Sequence, residues 1–311
     1  MSWNPASTAI VGSGAIGIYY GARLAAAGHD VRFLVRSDAE AVRTRGLHVG
    51  SVHGDIELPA VRSAESPEAI GPVDLVVVAW KATANLHLAN TLPPLMHPHT
   101  RVLTLQNGLG NCEALARVSD PRHILGGLCF VCLNRIAPAR VSHTAGGNVV
   151  IGAWRPEARQ CAADLAAIWK SAAIRATATP CLAQAQWEKL VWNIPFNGLS
   201  IAEGGVTTDA LLANPRTCGR IREIMREVVR AARALGHPLD DTLVERNIER
   251  TRPMGPYRPS SMIDYLDGRE VETDAIWAEP IRRANAISTP MPGTTRLLAA
   301  IRRRIESRDG P

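Results

Sequence analysis

The pattern of apolar and polar positions changes character near residue 179. Upstream, short and mainly apolar runs at residues 31–35, 74–80 and 101–105 are separated by more polar stretches. Such runs, rich in β-branched residues, predict strands buried in a parallel sheet. From residue 180 onward, apolar residues recur with the 3.6-residue period of helices. We therefore expect an α/β domain at residues 1–179 and an all-α domain at residues 180–311.

Several further elements can be predicted from local patterns. Helices are expected at residues 184–197, 216–235 and 294–307. In the first domain we expect a small hairpin within residues 47–61, strands between residues 126 and 154 with a turn at Gly146, Gly147 and Asn148, and a short strand at residues 175–177.

A glycine-rich turn near the N-terminus is the strongest motif. An apolar strand at residues 8–11 leads directly into Gly12, Ser13, Gly14, Ala15, Ile16 and Gly17, after which a helix is expected. In such a turn Gly12 permits the tight bend, Gly14 lets the backbone approach a pyrophosphate, and Gly17 lets the helix pack closely on the strand. The helix N-terminus adds amides and a positive dipole end. The motif predicts a Rossmann-type domain whose residues 12–17 contact a dinucleotide.

The residue that follows the second strand indicates which dinucleotide binds. A cofactor without a ribose phosphate would meet Asp or Glu about 20 residues after the glycine turn. This chain has Arg36, followed by Ser37. Arginine offers a planar fork of donors that suits a phosphate. Arg36 therefore predicts NADP(H) rather than NAD(H), the alternative being a solvated loop charge.

Two polar residues stand where later strands of the predicted sheet end. Lys81 follows the strand at residues 74–80, and Asn107 follows the strand at residues 101–105. Ligands of open parallel sheets bind outside the carboxyl ends of the strands. Both residues are therefore candidate cofactor contacts. For Lys81, a solvated strand-end lysine is an equally good interpretation.

The predicted helix at residues 184–197 carries a polar stripe. Lys189, Asn193 and Asn197 are spaced i, i+4 and i+8, so they share one face. Asparagine is a poor choice for an ordinary helix surface because it competes for the backbone. The stripe indicates a polar ligand, and the alternative is a hydrophilic face on which Lys189 pairs with a carboxylate.

Composition and charge narrow the class of protein. Apolar residues make up 46% of the chain and charged residues 21%, as in soluble globular proteins. No apolar run is long enough to cross a bilayer, so we expect a cytoplasmic protein. The net charge of +6 comes largely from scattered arginines with only 5% aromatic residues, which disfavours nucleic-acid binding.

The cysteines and histidines do not form a metal-binding pattern. Six cysteines are spread without a disulfide framework, and Cys129 and Cys132 lie in an apolar, strand-like run. Their spacing resembles half of a zinc site, but no second pair accompanies them. We interpret them as buried thiols and predict no metal.

Six motifs in sequence order resemble the ketopantoate reductase (2-dehydropantoate 2-reductase) family. They are the turn of residues 12–17, Lys81, Gln106-Asn107-Gly108, Trp187-x-Lys189-Leu190-x-x-Asn193 with Asn197, Ser260-Ser261-Met262-x-Asp264, and Gly268-Arg269-x-x-Glu272-x-Asp274. The resemblance covers nearly the whole chain. It implies an NADPH-dependent reductase of a small 2-oxo acid, with 2-dehydropantoate, reduced to pantoate, as the first expectation. Separately, the helical domain offers surfaces on which a homodimer could form.

The resemblance also implies roles for individual residues. Lys189 would be the general acid that protonates the ketone oxygen, and Glu272 would accept a hydrogen bond from the substrate's hydroxyl. Hydrogen bonds from Asn193, Asn197 and Ser261 would hold the substrate's other polar groups. Asn107 and Lys81 would lie where cofactor and substrate meet.

Alternatives remain open for two of these groups. Ser260 and Ser261 are also explained as an N-cap ahead of a helix, and Glu272 as a surface charge beside Arg269. For the protein as a whole, the alternatives are a paralogous 2-oxo acid reductase and, less favoured, a non-catalytic NADP(H) sensor.

The chain departs from the family's pattern in two places. After Asp274 it reads Ala275-Ile276-Trp277-Ala278-Glu279-Pro280 where the family has an apolar residue followed by Asn-Gly. Before Ser260 it reads Tyr257-Arg258-Pro259 where the family tends to have an asparagine shortly before the serine pair. Both changes fall in the half of the chain expected to bind substrate. They leave the identity of the 2-oxo acid open.

Overall fold

A computed structural model describes residues 3–310 and divides the chain into two compact units. The first runs to Gln106 and resumes over Asn111–Leu182; the second comprises Asn107–Gly110 and everything from Ala183. The short loop Asn107–Gly110 was expected in the first domain. It belongs to the second because the Leu109 amide donates to the Ala275 carbonyl at 2.9 Å and its side chain joins the second core.

The first unit is an α/β structure, as predicted. Its strands are β1 Ser7–Val11, β2 Asp30–Leu34, β3 Leu47–Ser51, β4 Ile56–Leu58, β5 Arg62–Ala64, β6 Val73–Val78, β7 Met96–Thr104, β8 Ile124–Ala137, β9 Arg140–Ala153 and β10 Ala176–Thr179. Its helices are α1 Ala15–Ala26, α2 Ala39–Arg45, α3 Pro67–Ile70, α4 Leu88–Thr91, α5 Asn111–Leu115 and α6 Arg159–Ser171.

One sheet contains all of these strands. Its order is β4-β3-β9-β8-β7-β6-β1-β2-β5, with β10 paired to β9. Strand β1 lies parallel to β2 and β6, which brings the chain segments after β1, β2 and β6 to one edge of the sheet. The predicted hairpin is confirmed by the antiparallel pair β3–β4.

The long hairpin β8–β9 corrects one prediction. The turn lies at Pro138 and Ala139, not at Gly146–Asn148. Gly146 and Gly147 lie inside β9 with φ of +79° and +102°, where the pairing register shifts opposite Phe130 and Val131. The two glycines mark a β-bulge, and glycine is suited to a bulge for the same conformational reason that suits it to a turn.

The core of the first unit follows from the predicted strands. The side chains of Ile10, Val77 and Leu103, on three neighbouring parallel strands, are fully buried. Helix α1 packs Ile18 and Tyr20 into the same cluster. Burial of side chains of this kind stabilises a fold by roughly 1.5–3 kcal/mol each.

The second unit is helical in its regular structure, as predicted. Its helices are α7 Leu182–Ala202, α8 Thr208–Ala213, α9 Pro215–Ala234, α10 Thr242–Thr251, α11 Ser260–Leu266, α12 Glu279–Ala286 and α13 Pro292–Asp309, with a π-helical turn at Asp274–Ala278 before α12. The three predicted helices correspond to α7, α9 and α13.

A buried carboxylate joins two helices of this unit. Glu227 on α9 is 7% exposed and accepts hydrogen bonds from the amides of Gly293 and Thr294, at 2.7 and 2.8 Å. It also accepts one from the Thr294 hydroxyl at 2.9 Å. These donors belong to the first turn of α13, where the helix dipole favours a negative charge.

We expect Glu227→Ala to lower the free energy of unfolding of the helical unit by roughly 3 kcal/mol. Three donors would lose a charged acceptor in a buried place. Calorimetry should show the shift, and Glu223→Ala on the exposed face of α9 is the matched control. Equal melting of the two variants would contradict the role of Glu227 as a cap.

Candidate functional site

The glycine turn has the geometry that its sequence predicts. At Gly12, with φ of +106°, an added Cβ would lie 2.4 Å from the Trp80 amide nitrogen. A Cβ on Gly17 would lie 2.0 Å from the Gly12 carbonyl oxygen. These two glycines therefore allow the turn, helix α1 and the end of β6 to pack closely.

Gly14 differs from its two neighbours in the motif. A Cβ on Gly14 would meet no heavy atom of the described chain within 4 Å, and α1 begins immediately after it. The space in front of this glycine adjoins the amides of a helix N-terminus, where an anion is stabilised. The turn therefore fits the pyrophosphate of a dinucleotide.

Two alanine substitutions separate packing from cofactor binding. Gly14 has φ of −79°, which any residue can adopt, so Gly14→Ala should keep the melting temperature and weaken binding of the nicotinamide dinucleotide by about tenfold or more. Gly17→Ala should instead destabilise the first unit, because its Cβ collides with backbone. Thermal unfolding and cofactor titration measure the two effects. The interpretation fails if Gly14→Ala binds the dinucleotide as tightly as the unmodified protein does.

Arg36 follows β2 and is exposed. Its carbonyl accepts from the Ala39 amide at 3.1 Å, which closes a tight turn over residues 36–39. Within residues 3–310 the guanidinium makes no hydrogen bond or ion pair. Its donors are therefore available to a ligand.

A network of amide side chains, which the sequence did not reveal, connects the loops after β6 and β7. The indole of Trp80 and the amide of Gln106 both donate to Asn85 Oδ1, at 3.3 and 2.7 Å. Asn85 in turn donates to Asn111 Oδ1 at 3.0 Å. Lys81, half-buried, begins the loop that contains Asn85. The network gives both strand ends a defined conformation.

Lys189 lies in the helical unit and is half-buried on α7. Its ammonium donates to Asn107 Oδ1 at 2.8 Å. Asn107 is oriented by the residues after it: Gly108, with φ of +83°, packs directly on the Ala275 carbonyl. A substituent at Gly108 would collide there. Two residues that the sequence placed in separate motifs are thus in direct contact.

The two asparagines of the stripe are buried, with Asn193 8% and Asn197 2% exposed. Asn197 Oδ1 accepts from the Ser261 amide at 3.0 Å, and its Nδ2 donates to the Asn193 carbonyl at 3.1 Å. Asn197 therefore ties the first turn of α11 to α7. The N-cap interpretation of Ser260 and Ser261 is wrong, because both lie inside α11 and the cap position is Pro259.

Glu272 is 8% exposed. It lies two residues before the π-helical turn whose Ala275 contacts Gly108. The surface-charge interpretation is wrong, since Arg269 pairs instead with Asp264 and Asp267, at 2.9 and 2.6 Å. A buried carboxylate in this position can accept a hydrogen bond from a ligand hydroxyl.

The two departures from the family pattern have different surroundings. Trp277 is fully buried, and its indole donates to the Ile194 carbonyl on α7 at 3.0 Å. It therefore packs the core beneath the polar stripe and does not present its ring to a ligand. Arg258 is exposed just before α11.

Further observations bear on metal binding and on membrane-spanning helices. All six cysteines are free thiols, with Cys129 buried and Cys132 half-buried on β8. Within residues 3–310 no three histidine, cysteine or acidic side chains are grouped so as to hold a metal ion. No helix in that range has the length and apolar character needed to span a bilayer.

The fold and these residues define a class of protein: an oxidoreductase with a Rossmann-type unit for a nicotinamide dinucleotide and a helical unit that carries a lysine among amides. Family models agree. The model "Ketopantoate reductase PanE/ApbA" matches residues 8–156, and "Ketopantoate reductase PanE/ApbA C terminal" matches residues 182–305. The chain belongs to the ketopantoate reductase family, as its motifs indicated.

Individual relatives match this chain over almost its whole length. The 2-dehydropantoate 2-reductase of Nostoc sp. is 37% identical over 298 residues, which cover 93% of this chain and 92% of the relative. The crystal structure of 2-dehydropantoate 2-reductase from Geobacter metallireducens is 40% identical, with a TM-score of 0.93, and the match covers 96% of this chain and 99% of that one.

A second solved structure shows that the same fold occurs in a more distant dehydrogenase. The ternary structure of D-mandelate dehydrogenase with NADH and anilino(oxo)acetate has a TM-score of 0.91 and covers 98% of this chain and 100% of its own. Its identity is 20%, so the likeness shows the fold alone.

Proposed function

We propose that this protein reduces a small 2-oxo acid with NADPH, and that the substrate is 2-dehydropantoate, which becomes pantoate. The observation that carries the proposal is the contact between the Lys189 ammonium and Asn107 Oδ1, at 2.8 Å. A half-buried ammonium oriented by an amide is suited to stabilise developing negative charge on a ketone oxygen and to release a proton to it.

The polar side chains of the site in the helical unit then have distinct roles in the reaction. When bound, the reduced nicotinamide supplies a hydride to the ketone carbon. Lys189 gives a proton to the ketone oxygen, so that the product is an alcohol and the lysine is left neutral. Asn107 holds the ammonium in place, because its Oδ1 accepts one of the three N–H groups.

Glu272 would anchor the substrate through its hydroxyl. Glu272 is buried, so a hydrogen bond to its carboxylate contributes more binding free energy than the same bond would on the surface. The reason is that leaving a buried polar group without a partner costs free energy. Asn193 and Ser261 would hold the other polar groups of the substrate. Asn197 already donates through Nδ2 and accepts through Oδ1 within the protein, so its task would include holding Ser261 in position.

The choice of NADPH rests on the residues after β2. The mandelate dehydrogenase that shares this fold is described with NADH, so the fold alone does not decide between the cofactors. Here the exposed Arg36 presents a guanidinium where NAD-dependent Rossmann proteins place a carboxylate. A guanidinium binds the 2′-phosphate and a carboxylate would repel it. Residues 12–17 and Lys81 would complete the cofactor site.

The choice of substrate rests on relatives. Those at 37% and 40% identity are both named 2-dehydropantoate 2-reductase. Trp277 belongs to one of the two differences from the family pattern. It is buried in the core and therefore does not contact the substrate. Lys189 and Glu272 are both present, and a cofactor sensor would need neither.

A substrate screen tests the proposal. Purified protein should be assayed with NADPH and with NADH against 2-dehydropantoate and other branched 2-oxo acids, with loss of reduced cofactor followed by absorbance. We expect the highest kcat/KM for 2-dehydropantoate with NADPH. Faster reduction of another 2-oxo acid would instead identify a paralogous reductase, and absence of turnover with every acid would favour a sensor.

A further inference from the structure

The turn after β2 contains a buried carboxylate two residues from Arg36. Asp38 is 1% exposed and belongs to the turn closed by the hydrogen bond between Arg36 and Ala39. A negative charge in this turn would oppose the binding of a phosphate by Arg36. The proposed preference for NADPH therefore requires that the charge of Asp38 be compensated.

The positive charge that compensates Asp38 comes from Arg135, which lies far from it in the sequence. Asp38 Oδ1 accepts from the guanidinium of Arg135, on β8, and from the Ser37 hydroxyl at 3.1 Å. Asp38 Oδ2 accepts from the Ala139 amide at 2.9 Å, in the turn of the β8–β9 hairpin. Both oxygens thus accept hydrogen bonds from the protein, and the side chain is 1% exposed, so Asp38 does not serve as the carboxylate that accepts from a ribose hydroxyl.

Arg135 has N–H groups beyond the one that it donates to Asp38. Its side chain is 40% exposed, and within residues 3–310 its guanidinium bonds to Asp38 through Nη2 alone. A guanidinium carries five N–H groups in a fixed fork. The ion pair therefore holds a second, partly exposed guanidinium against the turn that carries Arg36.

We propose that Arg135 is a second determinant of NADPH specificity. It neutralises Asp38 and offers its remaining N–H groups to the same 2′-phosphate that Arg36 binds. The inference rests on the proposed function for its cofactor. It adds a residue from the β8–β9 hairpin to a site that Rossmann patterns assign to the end of β2 alone.

Binding measurements test this inference without turnover. Dissociation constants for NADPH and NADH should be measured by titration for the unmodified protein, Arg135→Gln and the double variant Asp38→Asn/Arg135→Gln. Arg140→Gln, an exposed arginine on β9 of the same hairpin, is the charge-matched control. Arg135→Lys keeps the positive charge and serves if Arg135→Gln fails to fold.

We expect Arg135→Gln to weaken NADPH by about 10- to 100-fold, the effect of losing a charge-assisted hydrogen bond, and NADH by less than about twofold. The double variant should recover part of the NADPH affinity, since the uncompensated carboxylate is gone. Arg135→Lys should lie between the unmodified protein and Arg135→Gln. Arg140→Gln should bind both cofactors normally.

Other outcomes overturn the inference. Equal loss of both cofactors in Arg135→Gln would mean that Arg135 only holds the hairpin in place, and unchanged NADPH binding would remove it from the site. Full recovery in the double variant would rule out direct contact with the phosphate. If the unmodified protein itself prefers NADH, the proposed cofactor is wrong, a result distinct from failure of Arg135.

Discussion

Replacing Lys189 by alanine is expected to lower kcat by about 10²- to 10⁴-fold and to leave NADPH affinity within about twofold. The ammonium is the proton donor in the proposed reaction, and without it negative charge on the ketone oxygen has neither a stabilising cation nor a proton. Steady-state kinetics with 2-dehydropantoate and a separate NADPH titration measure the two quantities.

Two further variants make the Lys189 experiment specific. Glu188→Ala changes the exposed neighbour on α7 and should leave kcat unchanged. Lys189→Arg keeps a cation that can still donate to Asn107, but a guanidinium does not release its proton at neutral pH. It should therefore rescue substrate binding more than turnover. Normal kcat in Lys189→Ala would remove the lysine from the mechanism.

Replacing Arg36 by aspartate is expected to reverse cofactor preference. NADPH should bind about 10²- to 10³-fold more weakly, because a phosphate would lose a guanidinium and face a carboxylate. NADH should bind equally well or better, since aspartate can accept from its 2′-hydroxyl. Titration of both cofactors gives the ratio.

The control for the Arg36 experiment is Arg43→Asp. Arg43 is an exposed arginine on the neighbouring helix α2, and the substitution makes the same change in net charge. It should leave both dissociation constants nearly unchanged at physiological ionic strength, where exposed charges are screened. If Arg36→Asp weakens NADPH and NADH equally, the arginine does not bind the phosphate.

Short-range patterns were sufficient for much of the fold. The apolar run at residues 74–80 became β6, the glycine turn formed as its spacing predicts, and the amphipathic segment at 216–235 became α9. These elements depend on residues within a few positions of one another. Periodicity and turn chemistry report such local preferences directly.

The errors arose where one residue type serves two structures. Gly146 and Gly147 were expected to form a turn, but they form a bulge within β9. Glycine favours both, and only the pairing partner on β8 decides between them. The sequence also left the position of Trp277 open, as a departure in the half of the chain expected to bind substrate; its ring packs in the core against α7.

The sequence alone determined that an α/β domain precedes a helical one. It also determined the glycine turn, the arginine after β2 and the polar stripe of α7. Tertiary structure decided which distant side chains meet. Asn107 and Lys189 are 82 positions apart, and Asp38 and Arg135 are 97 apart. Neither contact has a local signature, because each depends on how a loop or a hairpin packs after its own elements have formed.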